Sequence, residues 1–148
     1  MYKLILFIFI LISCSSNDIK KNIPTFDGNN AYQYIVEQCN FGPRNPGSIG
    51  HQQFSNFLED YLLRNSDTVI IQDFNYLEHI TGEERAGKNL IAQFNLESEE
   101  RLLIGAHWDT RPYADRDLEK KNFYKPILGA NDGASGVCLL YTSPSPRD

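Results

Sequence analysis

The stretch that most restricts what this chain can become is Leu102-Leu103-Ile104-Gly105-Ala106, an uninterrupted apolar run that stops abruptly at His107-Trp108-Asp109-Thr110-Arg111-Pro112. A short continuous apolar run bounded by polar residues is the pattern of a sheet strand buried on both faces. It predicts an inner strand over 102–106 with a polar cluster at its carboxyl end. Open α/β sheets bind their ligands at that edge. A second cluster, Gly129-Ala130-Asn131-Asp132-Gly133-Ala134-Ser135-Gly136, follows further along and leads into an expected helix from Gly133 onward.

His107, Asp109 and Asp132 are the candidate functional residues. Side chains two apart on an extended segment point the same way, so His107 and Asp109 should share one side and Trp108 the other. A neutral imidazole is a good zinc ligand, and a carboxylate at its other ring nitrogen fixes the tautomer and raises basicity. Asp132 lies in a glycine-rich turn whose small neighbours allow close backbone packing and place a carboxylate in the crevice. Such a carboxylate can bridge two zinc ions, and paired ions polarise a carbonyl while activating water. Taken singly, each residue has an ordinary structural reading: a hydrogen-bonded histidine at a strand end, an aspartate capping a helix. The three together point to a metal pocket.

The rest of the sequence supplies a frame for that pocket. Ala31, Tyr34, Ile35 and Gln38 recur at helical spacing over 30–38, and Phe41-Gly42-Pro43-Arg44-Asn45-Pro46-Gly47 then breaks the helix. Ser48 is placed to cap a second helix in which Phe54, Phe57, Leu58, Tyr61 and Leu62 form one apolar face. Residues 68–76 are β-branched and aromatic, and Leu90, Ala92 and Phe94 alternate, so two strands are expected around a polar turn over 82–87. The order of elements predicts an α/β fold with a mixed sheet flanked by helices. The charged run Ala114–Asn122 reads as a surface loop, with a lid over the site as the alternative.

A chain of 148 residues, 41% hydrophobic, suits one domain with a real core. With a formal charge of -5 and its basic residues scattered, it presents no footprint for nucleic acid. Met1-Tyr2-Lys3, an apolar core to Ile12 and Ser13-Cys14 describe an export signal. Leu11-Ile12-Ser13-Cys14 is similar to the bacterial lipobox, which implies lipidation of Cys14, a membrane anchor and residence in the bacterial cell envelope. Residues 1–14 are thus read as a lipoprotein signal peptide and 15–28 as a tether. The catalytic-domain segment is 29–137. The run Cys138–Asp148 looks like the conceptual translation of a sequencing adapter, the alternative being a Ser/Pro-rich tail. Only Cys39 and Cys138 remain besides Cys14, so no disulfide framework is expected.

The two polar clusters resemble the metal motifs of the zinc aminopeptidase and glutaminyl-peptide cyclotransferase superfamily. Arg44-Asn45-Pro46-Gly47-Ser48, the strand ending near Phe74 and Asn89-Leu90-Ile91 are similar to the lead-in of glutaminyl cyclases. The resemblance implies a phosphorylase/hydrolase-like fold, truncated after the first metal motifs, with zinc as cofactor and peptide or protein N-termini as substrate. By analogy with the aminopeptidases, His107 and Asp132 are metal ligands, Asp132 bridging two ions, and Asp109 is the catalytic-site aspartate that orients the histidine. In the animal-type cyclases a single zinc sits at the position of Asp132, and the histidine matching His107 is not a ligand. A Glu-Glu pair, a later acidic residue and a late histidine complete the family's site and have no counterpart before Val137, so this chain alone is expected to be inactive. The expected activity of the whole protein is cyclisation of N-terminal glutamine, with an aminopeptidase or a non-catalytic surface binding module as alternatives.

Overall fold

The computed structural model describes residues 25–142. The expected signal peptide, Cys14 and most of the tether, together with the last six residues of the tail, lie outside the described residues. The first helix, α1, spans Gly28–Asn40, and the Asp27 side chain accepts a hydrogen bond from the Asn30 amide at 3.0 Å. Helix α2 spans Ile49–Asn65 and starts where Ser48 was expected to cap it: Ser48 Oγ accepts from the His51 amide at 3.1 Å and donates to the Pro43 carbonyl at 2.9 Å. That single hydroxyl fixes both the start of α2 and the path of the Pro/Gly loop before it.

Two strands follow, β1 over Thr68–Leu77 and β2 over Glu84–Gln93, paired antiparallel from Thr68 opposite Gln93 to Leu77 opposite Glu84. The expected polar turn over 82–87 therefore sits several residues too late. The Glu78 carboxylate, not the downstream glycines, makes the turn, accepting from the amides of Ile80 and Thr81 at 3.0 and 2.8 Å and from the Thr81 hydroxyl at 2.9 Å. Arg85, Ala86 and Gly87 pair with Tyr76, Asn75 and Phe74, and the Phe74 ring lies over Gly87, filling the space its missing side chain leaves.

The expected inner strand over 102–106 is absent. β1 and β2 form a two-stranded sheet, and no strand among the described residues pairs with Leu102–Ala106. Leu102 and Leu103 are 85% and 87% exposed. An apolar run becomes a strand only when a neighbour takes up its backbone hydrogen bonds, and here none does. The run's carboxyl end is nevertheless anchored, because Ala106 and Trp108 pack on the core formed by Phe54, Leu58 and Val137. The expected helix after the second cluster is present as α3, Ser135–Thr142, which includes Cys138 and Tyr141.

The molecule is a mixed α/β arrangement. α2 lies against the hairpin, while α1 packs against α3 and the turn that precedes it. Tyr34 of α1 and Tyr61 of α2 meet Tyr141 of α3 at ring distances of 5.3 and 4.4 Å. The charged segment after Pro112 folds on itself, with Tyr113 stacked on Phe123 and Asp117 accepting from Glu119 and Asn122. It is a structured surface loop.

Candidate functional site

The three candidate residues converge. Nε2 of His107 stands 2.9 Å from Oδ1 of Asp132, and Nδ1 stands 3.3 Å from Oδ1 of Asp109 and 3.2 Å from the Asp109 carbonyl. The imidazole thus lies between two carboxylates. As the alternation of an extended segment requires, Trp108 turns the other way: its ring meets Phe54 at 6.1 Å and its indole N–H donates to the Lys88 carbonyl of β2. Trp108 is the anchor that holds its two neighbours outward.

Asp132 reaches the histidine through an irregular turn. Gly129 has φ +66°, Asp132 is extended at φ -91° and ψ 104°, and Gly133 has φ +102°. The Ala134 amide closes the turn on the Gly129 carbonyl at 3.1 Å. A Cβ on Gly133 would come within 2.9 Å of the Asp109 carbonyl oxygen and 3.3 Å of His107 Cε1. Only glycine both adopts that backbone and lets the two segments approach.

The site is open to solvent. His107, Asp109 and Asp132 keep 57%, 47% and 62% of their side-chain surface exposed. A cavity of about 250 Å³ lies against His107 and Asp132 and is floored by Gly105, Ala106 and Gly133. A second, of about 240 Å³, lies beside Asp109 between the end of β1 and the Thr110–Tyr113 segment. Burial, with the charges of Asp109 and Glu78, pushes the Tyr76 hydroxyl at its edge above its ordinary range.

An imidazole nitrogen and a carboxylate oxygen aimed at one another, with a second carboxylate behind the ring, form a donor set of the type zinc takes. His107 and Asp132 fit as two of its ligands. Among the described residues no group of three or more such side chains could hold a metal ion.

Sequence reasoning missed the residues that hold the two clusters together. Arg44 is fully buried, and its guanidinium donates from Nε to the Trp108 carbonyl at 3.2 Å, from Nη1 to the carbonyls of Gln38 and Gly42 at 3.0 and 3.3 Å, and from Nη2 to that of Gly129 at 3.1 Å. Its cation also lies 5.4 Å from the centre of the Phe54 ring. Burial draws its pKa below the ordinary arginine value, opposed by Cys39 and Asp109. Thr110 accepts from the Arg44 amide at 2.8 Å, and Gln38 donates to the Ala134 carbonyl at 3.0 Å. The one signal in the sequence was an arginine inside a Pro/Gly loop that has no regular backbone bonds of its own. His51, stacked on Trp108 at 4.4 Å, was likewise passed over as an exposed helical residue.

Comparison with known proteins gives a consistent picture. The pattern of Peptidase family M28 matches residues 89–143. The structure is similar to that of Tannerella forsythia glutaminyl cyclase, with 42% identity and a TM-score of 0.75, covering 79% of this chain and 40% of that one. It is similar to a leucine aminopeptidase precursor from Bacteroides thetaiotaomicron, also at 42% identity and a TM-score of 0.75, over 80% of this chain and 41% of that one. A Zn-dependent exopeptidase from Parabacteroides distasonis matches at 36% identity and a TM-score of 0.75, over 80% of this chain and 40% of that one. The chain therefore spans about two fifths of the length of these relatives. No curated protein sequence matches it.

Proposed function

Because the chain belongs to the superfamily that joins the M28 peptidases to the bacterial glutaminyl cyclases, we propose that the whole protein is a zinc-dependent glutaminyl-peptide cyclotransferase acting on peptide and protein N-termini. The observation that carries this reading is the double engagement of His107, whose two ring nitrogens each face a carboxylate. A histidine so occupied serves better to orient Asp132 than to ligate a metal, the arrangement that resemblance to the single-zinc cyclases implies. The similarity to the aminopeptidase precursor favours the second reading, in which His107 and Asp132 are both ligands and water attacks the first peptide bond.

In the cyclase reading Asp132 would hold the zinc ion, which supplies Lewis acidity to a substrate carbonyl. The chain's own residues do the rest of what is described here. Asp109 holds Nδ1 of His107, and Nε2 of His107 then holds Oδ1 of Asp132, so the ligand carboxylate is oriented in advance. The cavity beside Gly105 and Gly133 leaves room for a substrate terminus at that carboxylate. In the reaction the peptide's α-amine attacks its own side-chain amide carbon, a ring C–N bond forms, and ammonia leaves. Nucleophile and carbonyl belong to one residue, so holding that residue still lowers much of the barrier.

The test is incubation of the whole protein with a peptide that begins with glutamine. Ammonia released without any free amino acid is the expected result. Release of free N-terminal residues as the main product would replace the cyclase reading with the peptidase one. Zinc content close to one ion per chain, measured on the same sample, separates either enzyme from a metal-free binding module. We also place the protein in the bacterial cell envelope, anchored to the membrane through lipid on Cys14.

A further inference from the structure

Arg44 is a buried cation with no carboxylate in salt-bridge range among the described residues, and all of its side-chain hydrogen bonds listed above go to main-chain oxygens. Burying a charge without a counter-ion is costly, and an apolar side chain of similar volume would fill the same space more cheaply. A reason for the guanidinium must therefore lie in where its donors point. Nε reaches the Trp108 carbonyl, the peptide unit between His107 and Asp109, while Nη2 reaches the Gly129 carbonyl, which opens the turn carrying Asp132. The remaining donors grip the end of α1 through Gln38 and Gly42. Main-chain bonds on the other side complete the grip, since the Thr110 amide donates to the Arg44 carbonyl at 3.3 Å.

A guanidinium is planar and rigid, so two carbonyls bound to one fork are held at a separation the fork itself dictates. We propose that Arg44 is the positioning residue of this site: it sets the separation of the His107–Asp109 segment from the Asp132 turn and thereby the contact between imidazole and carboxylate. It touches no reacting atom. The assignment stands on the geometry of this chain and holds for a cyclase and a peptidase alike.

The experiment compares the full chain with its Arg44→Lys and Arg44→Gln variants by NMR, without metal. The reporter is the nuclear Overhauser effect between His107 Hε1 and the Gly133 α-protons, strong in the parent because His107 Cε1 lies 3.3 Å from where a Cβ on Gly133 would stand. Lysine keeps the charge but cannot bridge both carbonyls, so the effect should weaken at least severalfold in both variants. The cross-strand effects of β1 and β2, which Arg44 does not touch, should persist. An unchanged His107–Gly133 effect in both variants overturns the proposal. So does loss of the hairpin signals along with the site in both, since Arg44 would then serve the whole core. No outcome of this comparison depends on the peptide assay, and the two readings fail separately.

Discussion

Replacing Gly133 by alanine should damage the site in a way that can be worked out beforehand. At φ +102° and ψ -65° the backbone lies outside every region an L-residue favours, which costs about 1–3 kcal/mol. The new methyl would stand 2.9 Å from the Asp109 carbonyl oxygen, a backbone atom held in place by its neighbours. Relieving that contact resembles overpacking a core and adds about 1–3 kcal/mol. Gly82 is the internal control, because its φ of +71° is also positive but nothing lies within 4 Å of its would-be Cβ. Gly82→Ala should therefore cost only the left-handed penalty of about 1–2 kcal/mol. Urea denaturation of both variants decides the matter. With a slope of roughly 1–3 kcal/mol per molar, the midpoint for Gly133→Ala should fall by about a molar more than that for Gly82→Ala. Equal midpoints would show that Asp109 and Gly133 do not approach as described, and the close packing of the two clusters would be refuted.

The remaining predictions concern the ring beneath the site and the far end of the chain. Burial lowers the pKa of His51 from its ordinary value of 6.5, with Lys88 acting in the same direction and Asp109 opposing both. Between the folded and unfolded pKa values the unfolded chain binds more protons, so His51 stabilises the fold above pH 6.5 and its contribution is lost on acidification. His51→Phe, which keeps a ring on Trp108, should flatten the fall in urea midpoint between pH 7.5 and 5; parallel curves for parent and variant would contradict this. Lipidation of Cys14 predicts that labelled palmitate enters the whole protein in a bacterial host and is lost in Cys14→Ser, whereas label retained in the variant would place the lipid elsewhere.

The helices were legible because their signals are local. The period of Phe54, Phe57, Leu58, Tyr61 and Leu62 and the cap at Ser48 depend on nothing outside α2. The strands were legible in kind but not in extent, since Arg85-Ala86-Gly87-Lys88 has the composition of a turn and becomes strand only because β1 lies beside it. The turn itself hung on the Glu78 carboxylate, whose hydrogen bonds to Ile80 and Thr81 cannot be read from residue types alone. The run Leu102–Ala106 failed as a strand for the same reason in reverse. Its apolar pattern states what the segment could bury, and pairing is a property of a neighbour.

That failure leaves the site intact, and the reason shows what the site rests on. If sheet hydrogen bonds had carried His107 and Asp109 into place, an unpaired 102–106 would have scattered them. They are held instead by Trp108, fixed to β2 through the Lys88 carbonyl and to α2 through Phe54 and His51. Arg44 then ties the Trp108 carbonyl to the opening of the Asp132 turn. Each link joins a side chain to a main-chain atom or a ring far away in sequence, so none leaves a periodic trace that a reading of the chain could detect. The polar motifs reveal which groups meet, while the indole and the guanidinium determine that they meet at hydrogen-bonding distance. A chain keeping both motifs but replacing Trp108 and Arg44 would hold the same candidate residues without the alignment that makes them a site.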